Sequence, residues 1–184
     1  MTCIVGIRTP TGVLIGGDTQ GSSGWDSRER QDAKVFRLGT KRRLAVGFTS
    51  SYRMGQILRF HLTPPEIHPD CDEYGWAVGD FVPAAREVLK THGYVKIENS
   101  REQSGTFLLA VRGRLFQVHD DLQVAEHAAP FDACGCGENY AIGAFHVLEG
   151  AKMAPRRKAQ IALEAAARFS NGVGGRFMFA ETTT

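Results

Sequence analysis

The sequence has few cysteines, little charge imbalance and no long apolar segment. Four cysteines occur among 184 residues. Cys134 and Cys136 are separated by one residue, which suits neither a zinc knuckle nor a usual disulfide. No apolar run approaches the ~18 residues of a membrane-spanning helix, and the N-terminus lacks the basic and apolar regions of a signal peptide. We therefore expect a cytoplasmic protein with reduced thiols and no membrane association.

Charge and histidine spacing argue against two further classes of protein. The chain has 22 lysines and arginines against 20 aspartates and glutamates, a net charge of +2. A nucleic-acid-binding protein usually has a larger and more clustered basic excess. The six histidines show no spacing typical of metal ligands. We therefore expect no nucleic-acid partner, no metal and no cofactor.

Glycine, in contrast, is abundant. The 21 glycines occur in short clusters without a fixed period, which excludes collagen and low-complexity linkers. Such a distribution indicates tight turns or places where the backbone approaches another group closely.

Hydrophobic periodicity predicts one α+β domain spanning residues 1–184. Residues 19–32 are expected to form a polar loop that carries Trp25, and Lys41–Arg43 a solvated hairpin turn. Strands are predicted at 2–8, 13–15, 34–38, 43–48, 105–111, 115–119, 131–135 and 177–180, and helices from a cap within 49–51 to about 61, at 76–92, at 138–148 and at 155–169. This order is typical of antiparallel sheets covered by pairs of helices.

The first 50 residues contain groups suited to nucleophilic catalysis. If Met1 is removed, the α-amine of Thr2, with a pKa near ~7.7–8, can act as the base for the hydroxyl of the same residue. Asp18 ends the second strand and Lys34 opens the third, so a carboxylate can orient both cations. A protonated Lys34 favours ionisation of the hydroxyl. Gly47 ends the fourth strand, where its N–H is expected to bind an oxyanion.

Each of these residues alone also has an ordinary structural interpretation. Thr2 fits a β-strand, Asp18 fits a turn or a helix cap, and Lys34 fits a solvated strand edge. Gly47 fits a turn. Only their joint order and spacing favours catalysis.

Four segments resemble the catalytic β-subunits of proteasomes and, still more closely, HslV, the bacterial peptidase subunit. These segments are Met1–Ile7, Gly12–Asp18, Lys34–Phe36 and Ala45–Phe48. The intervals from Thr2 to Asp18 and Lys34 match the nucleophile–Asp–Lys spacing of that family without a gap. Cys134–Gly137 lies where the family has Gly-Ser-Gly before a helix.

The resemblance implies an N-terminal nucleophile (Ntn) hydrolase fold, a four-layer α-β-β-α sandwich of two antiparallel sheets flanked by helix pairs. It also implies amide-bond hydrolysis by Thr2 after Met1 removal. Cys136 replaces the family serine that contacts the terminal amine, and Ser170 or Asn171 replaces an aspartate of the proteasome. The expected substrate-binding residues are Gly21, Ser22, Ala45 and Thr49.

The same resemblance implies partners. It predicts homo-oligomeric stacked rings that enclose their active sites, peptides or unfolded proteins as substrates, and an ATPase unfoldase as a candidate partner. Two alternatives remain open from the sequence. One is an Ntn amidase or acylase for small substrates, and the other is a catalytically silent ring subunit that retains Met1.

Overall fold

The main elements of the computed structural model form two antiparallel sheets and two helix layers. The structure describes residues 1–39, 43–98 and 101–184, so Lys41 and Arg42 of the expected cationic turn lie outside the described residues. The strands are β1 (Cys3–Thr9), β2 (Gly12–Asp18), β3 (Gln20–Ser23), β4 (Asp26–Glu29), β5 (Val35–Leu38), β6 (Leu44–Phe48), β7 (Lys96–Glu98), β8 (Arg101–Gln103), β9 (Phe107–Val111), β10 (Arg114–Val118), β11 (Val124–Ala125), β12 (Phe131–Gly135) and β13 (Phe177–Glu181). The helices are α1 (Tyr52–Phe60), α2 (Glu73–Trp76), α3 (Val82–Thr91), α4 (Glu138–Leu148) and α5 (Pro155–Phe169), with a π-helical turn at Ala77–Phe81.

Two sheets form the centre of the molecule. One has the strand order β12-β1-β2-β13 and the other β11-β10-β9-β6-β5. Strands β1 and β2 are buried on both faces, because each sheet packs against the other sheet on one side and against helices on the opposite side. Short side chains between the sheets, such as Ala45 and Ala110, allow this close approach.

Three apolar clusters hold the layers together. The first lies between the two sheets and includes Ile4, Ile15 and Leu108. The second fills the space between the five-stranded sheet and helices α1 and α3. The third joins the four-stranded sheet to α4 and α5. The resulting order of helices, sheet, sheet and helices confirms the predicted α-β-β-α sandwich.

Residues 19–32 differ from the expected loop. They form the hairpin β3–β4, with Gly24 at a φ of 57° in its turn and Trp25 fully exposed at its tip. Polar composition concealed this hairpin, because β4 is exposed along its whole length and so lacks the alternation that indicates a half-buried strand.

The second predicted helix begins earlier than expected. It starts at Glu73, where the Asp72 side chain accepts a hydrogen bond from the Gly75 N–H at 2.8 Å. Pro83 follows the π-helical turn and lies in the first turn of α3. Proline has no N–H for the helix ladder, and a π-helical turn shifts that ladder by one residue. No described helix is long and apolar enough to cross a membrane.

Candidate active site

Three neighbouring strands of the four-stranded sheet begin or end close together, at one end of the sheet. Thr2 precedes β1, Asp18 ends β2 and Cys136 follows β12. Because β1 pairs antiparallel with both β2 and β12, its N-terminal end lies between Asp18 and Cys136. The sheet register therefore places Thr2 between a carboxylate and a thiol.

Asp18 is the centre of a buried hydrogen-bond network. Its Oδ1 accepts from the Cys3 N–H at 3.1 Å and from Lys34 Nζ at 2.9 Å. Its Oδ2 accepts from the N–H groups of Gln20 at 3.1 Å and Gly174 at 3.3 Å. Asp18 is completely buried, and these four bonds hold the carboxylate in a single orientation.

Lys34 is the cationic partner of Asp18 and is 1% exposed. Its ammonium also donates to the Gln20 carbonyl at 2.6 Å. An ammonium has three N–H donors, so one remains after these two bonds within the described part of the chain. Burial lowers the pKa of Lys34, although the Asp18 carboxylate opposes this shift. The site therefore holds a lysine that loses its proton more readily than a solvated one.

Thr2 is buried and contacts its neighbours through every polar atom. Its hydroxyl donates to the Met1 carbonyl, and its N–H donates to Cys136 Sγ at 3.2 Å. Its own carbonyl accepts from the Gly137 N–H at 3.4 Å. With Met1 attached, the Thr2 nitrogen is an amide that cannot act as a base. Only removal of Met1 would convert this nitrogen into an amine at the same place.

The thiol of Cys136 accepts the hydrogen bond from the Thr2 N–H. It also accepts a hydrogen bond from the Ser170 hydroxyl at 3.4 Å. The carbonyl of Asn171 instead accepts from the Gln20 side chain at 2.8 Å. Of the two residues that the sequence analysis set against the proteasome aspartate, Ser170 is thus the one that touches Cys136.

A small cavity opens beside Thr2, and we call it the Thr2 cavity. Its lining comprises Met1, Thr2, Ser22, Phe48, Thr49, Ser50, Ser51 and Tyr52. Two of the expected substrate-binding residues, Ser22 and Thr49, lie on it. Gly21 lies in an adjoining groove along the β3–β4 hairpin.

Ala45 lies elsewhere, which corrects the expectation that it lines the pocket. It is completely buried in the cluster between the two sheets. Side chains alternate along a strand, so Ala45 and Gly47 of β6 both face the opposite sheet. Phe48 lies on the opposite face of β6 and reaches the Thr2 cavity.

Gly47 likewise serves packing between the sheets. A Cβ at this position would lie 2.5 Å from Cγ2 of Ile4 and 2.6 Å from Cγ2 of Ile15. The Thr49 N–H donates to the Thr106 carbonyl, just before β9, at 3.0 Å. Hydrogen-bonded pairs alternate along an antiparallel ladder, so the Gly47 N–H points to its partner Leu108. This geometry corrects the expectation that Gly47 binds an oxyanion.

Ser50 has the properties expected of an oxyanion donor, and the sequence analysis missed it. Its φ is 69°, in the left-handed region that non-glycine residues seldom adopt. Its hydroxyl accepts from the Thr106 N–H at 3.2 Å. The Ser50 N–H donates to no other described residue, and Ser50 lines the Thr2 cavity. No sequence signal marks a serine for this backbone conformation.

Tyr52 is a second residue that the sequence analysis missed. Its ring centroid lies 3.8 Å from the Arg30 guanidinium carbon and 5.7 Å from Lys34 Nζ. Burial raises the pKa of Tyr52 to about 12, and the ring forms part of the wall of the Thr2 cavity. Among the described residues, no group of three or more His, Cys, Asp or Glu side chains has a geometry that could hold a metal ion.

No protein-family model matches this sequence, and no curated protein matches it either. Solved structures do match its fold. BPH from Thiobacillus denitrificans in complex with epoxomicin has 23% identity, covers 98% of both chains and gives a TM-score of 0.80. HslV from Trypanosoma brucei has 16% identity, covers 99% of both chains and gives 0.72. The helical assembly of the Anbu complex from Pseudomonas aeruginosa has 16% identity, covers 98% of this chain and 81% of that one, and gives 0.69. The chain thus has the HslV-like Ntn hydrolase fold that its sequence motifs predict.

Proposed function

We propose that the chain is a subunit of a threonine-type endopeptidase that hydrolyses peptide bonds through Thr2 after removal of Met1. The observation that carries this proposal is the buried pair between Asp18 and Lys34, with 2.9 Å between Oδ1 and Nζ, beside Thr2. A buried ion pair is costly to desolvate and contributes little stability compared with apolar residues. Because this ion pair lies beside the Thr2 hydroxyl, a role in catalysis explains it better than a role in stability.

The geometry supports a definite sequence of steps. The free α-amine of Thr2 accepts the hydroxyl proton, and Oγ1 attacks the carbonyl carbon of the substrate. The protonated Lys34 lowers the energy of the developing alkoxide. The negative oxygen of the tetrahedral intermediate accepts a hydrogen bond from the Ser50 N–H. The amine then gives its proton to the leaving amino group, and water hydrolyses the resulting ester.

The proposal extends to assembly and substrates. The fold is shared with HslV and with Anbu, whose complex from P. aeruginosa is a helical assembly. This likeness supports a homo-oligomer, for which we propose stacked rings that admit peptides and unfolded chains. An ATPase unfoldase as partner and a cytoplasmic location belong to the same proposal.

Epoxomicin, the compound bound in the BPH structure, provides the test. The intact mass of the wild type should show loss of Met1 and, after incubation, one epoxomicin adduct that peptide mapping places on Thr2. The Thr2→Ala variant should lose Met1 but gain no adduct, because it has no hydroxyl nucleophile.

The rival functions predict different results in the same experiment. A silent ring subunit retains Met1 and forms no adduct, which would refute the proposal. A small-substrate amidase forms the adduct but cleaves small amides and leaves unfolded proteins intact. Cleavage of an unfolded protein by the wild type, lost in Thr2→Ala, would support the endopeptidase.

The rate of adduct formation should depend on pH in a bell-shaped manner. It should rise with pH as the α-amine loses its proton near ~7.7–8. It should fall at higher pH as Lys34 loses its proton, and because burial lowers the pKa of Lys34, this limb should lie below the ordinary lysine value of ~10.4. Measuring the labelling rate avoids ionisation of a substrate. A rate that still rises at about pH 11 would contradict the role of Lys34.

A further inference from the structure

Cys136 is in direct contact with the Thr2 nitrogen, which removal of Met1 would turn into a nucleophilic amine. Sγ of Cys136 lies 3.2 Å from the Thr2 nitrogen. Cys136 is exposed, whereas Cys3 and Cys134 are completely buried. Burial raises the pKa of both buried thiols far above the usual value, which makes them unreactive. An oxidant from solution would therefore meet the thiol beside the candidate nucleophile and, apart from it, only the half-buried Cys71.

We propose that a hydroperoxide reversibly locks this site by joining Cys136 Sγ to the Thr2 nitrogen in a sulfenamide. The inference rests on the proposed function in one respect, because it requires the free amine that removal of Met1 would create. It adds a covalent modification site, and a means of regulation, to the proposed catalytic centre.

The chemistry balances without any further reactant. The thiol and hydrogen peroxide give sulfenic acid and water, which oxidises the sulfur by two electrons. The Thr2 amine then attacks this sulfur, forms the S–N bond and expels the hydroxyl as water with a proton from the nitrogen. A thiol reductant restores the site. Its sulfur attacks Sγ and releases the amine as a mixed disulfide forms, and a second thiol then frees Cys136.

The surroundings hold both reacting atoms in place. The Thr2 carbonyl accepts hydrogen bonds from the Gly137 N–H and from the Cys136 thiol, each at 3.4 Å. A Cβ at Gly172 would lie 2.7 Å from Cys136 Sγ, so this glycine leaves the thiol the space to lie against Thr2. In the lock the nitrogen is no longer a basic amine. The hydroxyl of Thr2 then lacks its base.

Peptide mapping by mass spectrometry tests the lock directly. After treatment with about one equivalent of hydrogen peroxide, the intact mass of the Met1-free protein should fall by about 2 Da through loss of two hydrogens. Proteolysis should yield the N-terminal peptide joined to the peptide that contains Cys136. Epoxomicin labelling should fall roughly tenfold or more and return after treatment with dithiothreitol. The Cys71→Ser variant should behave like the wild type, and Cys136→Ser should form no linked peptides.

The outcomes separate this inference from the proposed function. An oxidised protein that gains about 16 Da and contains no linked peptides overturns the lock, while its epoxomicin adduct on Thr2 still supports the peptidase. Linked peptides in a protein that never forms the adduct support the S–N contact and refute the peptidase. Retention of Met1 refutes both, because the nitrogen is then an amide.

Discussion

Replacing Lys34 by methionine is expected to lower the free energy of unfolding by about 3–5 kcal/mol and to reduce epoxomicin labelling of Thr2 by roughly 10³-fold or more. Methionine fills a similar space but leaves the Asp18 carboxylate buried without its cation. The three backbone N–H groups that also bind this carboxylate compensate only part of the loss. Labelling falls because the developing alkoxide of Thr2 has no neighbouring positive charge.

A second substitution separates the two effects. In the double variant Asp18→Asn/Lys34→Met no charge remains at this pair, so part of the lost unfolding free energy should return. Labelling should stay as low as in the single variant. Urea denaturation at a fixed protein concentration measures the first quantity, and intact mass over time measures the second. Full labelling in any folded Lys34→Met sample would contradict the assigned role of Lys34.

Replacing Gly47 by alanine is expected to lower the free energy of unfolding by about 1–3 kcal/mol. The added methyl group would overlap the Cγ2 methyl groups of Ile4 and Ile15, because these side chains fill the space that Gly47 leaves. The rate of epoxomicin labelling per folded molecule should change little. The Gly47 N–H points to β9, and the added methyl group faces the space between the sheets.

The opposite pattern would contradict this assignment of Gly47. An alanine variant with unchanged stability but strongly slowed labelling would indicate that Gly47 acts in the reaction after all. Gly143→Ala is the matched control, because a Cβ at this exposed helical position of α4 meets no atom within 4 Å. The same chemical change should there raise the unfolding free energy by about 0.5–1 kcal/mol.

Local patterns made much of the fold and part of the site predictable. Thr2 and Asp18 lie at neighbouring ends of one hairpin, whose short turn at residues 9–12 carries a clear sequence signal. Lys34 precedes the strand β5. The order of predicted strands and helices then indicated sheets covered by helix pairs, because the spacing of apolar residues shows which faces of an element are buried.

Polar composition was a poorer guide. The hairpin β3–β4 and the pair β7–β8 were missed because strands exposed to solvent need no apolar alternation. The sequence analysis also placed Ala45 and Gly47 at the cavity. The structure puts them between the sheets. Which side chains of β6 face the opposite sheet depends on how the sheets pack and not on the distance along the chain.

By itself, the sequence determined the antiparallel sheets covered by helix pairs and the nearness of Thr2 and Asp18 at the ends of one hairpin, because strand alternation and hairpin turns act over a few residues. The four-layer order was implied by the resemblance to proteasome β-subunits. Only the tertiary structure decided three further features: the left-handed backbone of Ser50 at the cavity, the Gly47 that faces the opposite sheet, and the contact between Thr2 and Cys136, which are 134 positions apart in the chain. These features depend on register and packing between segments far apart in the chain, and no local pattern encodes such distances.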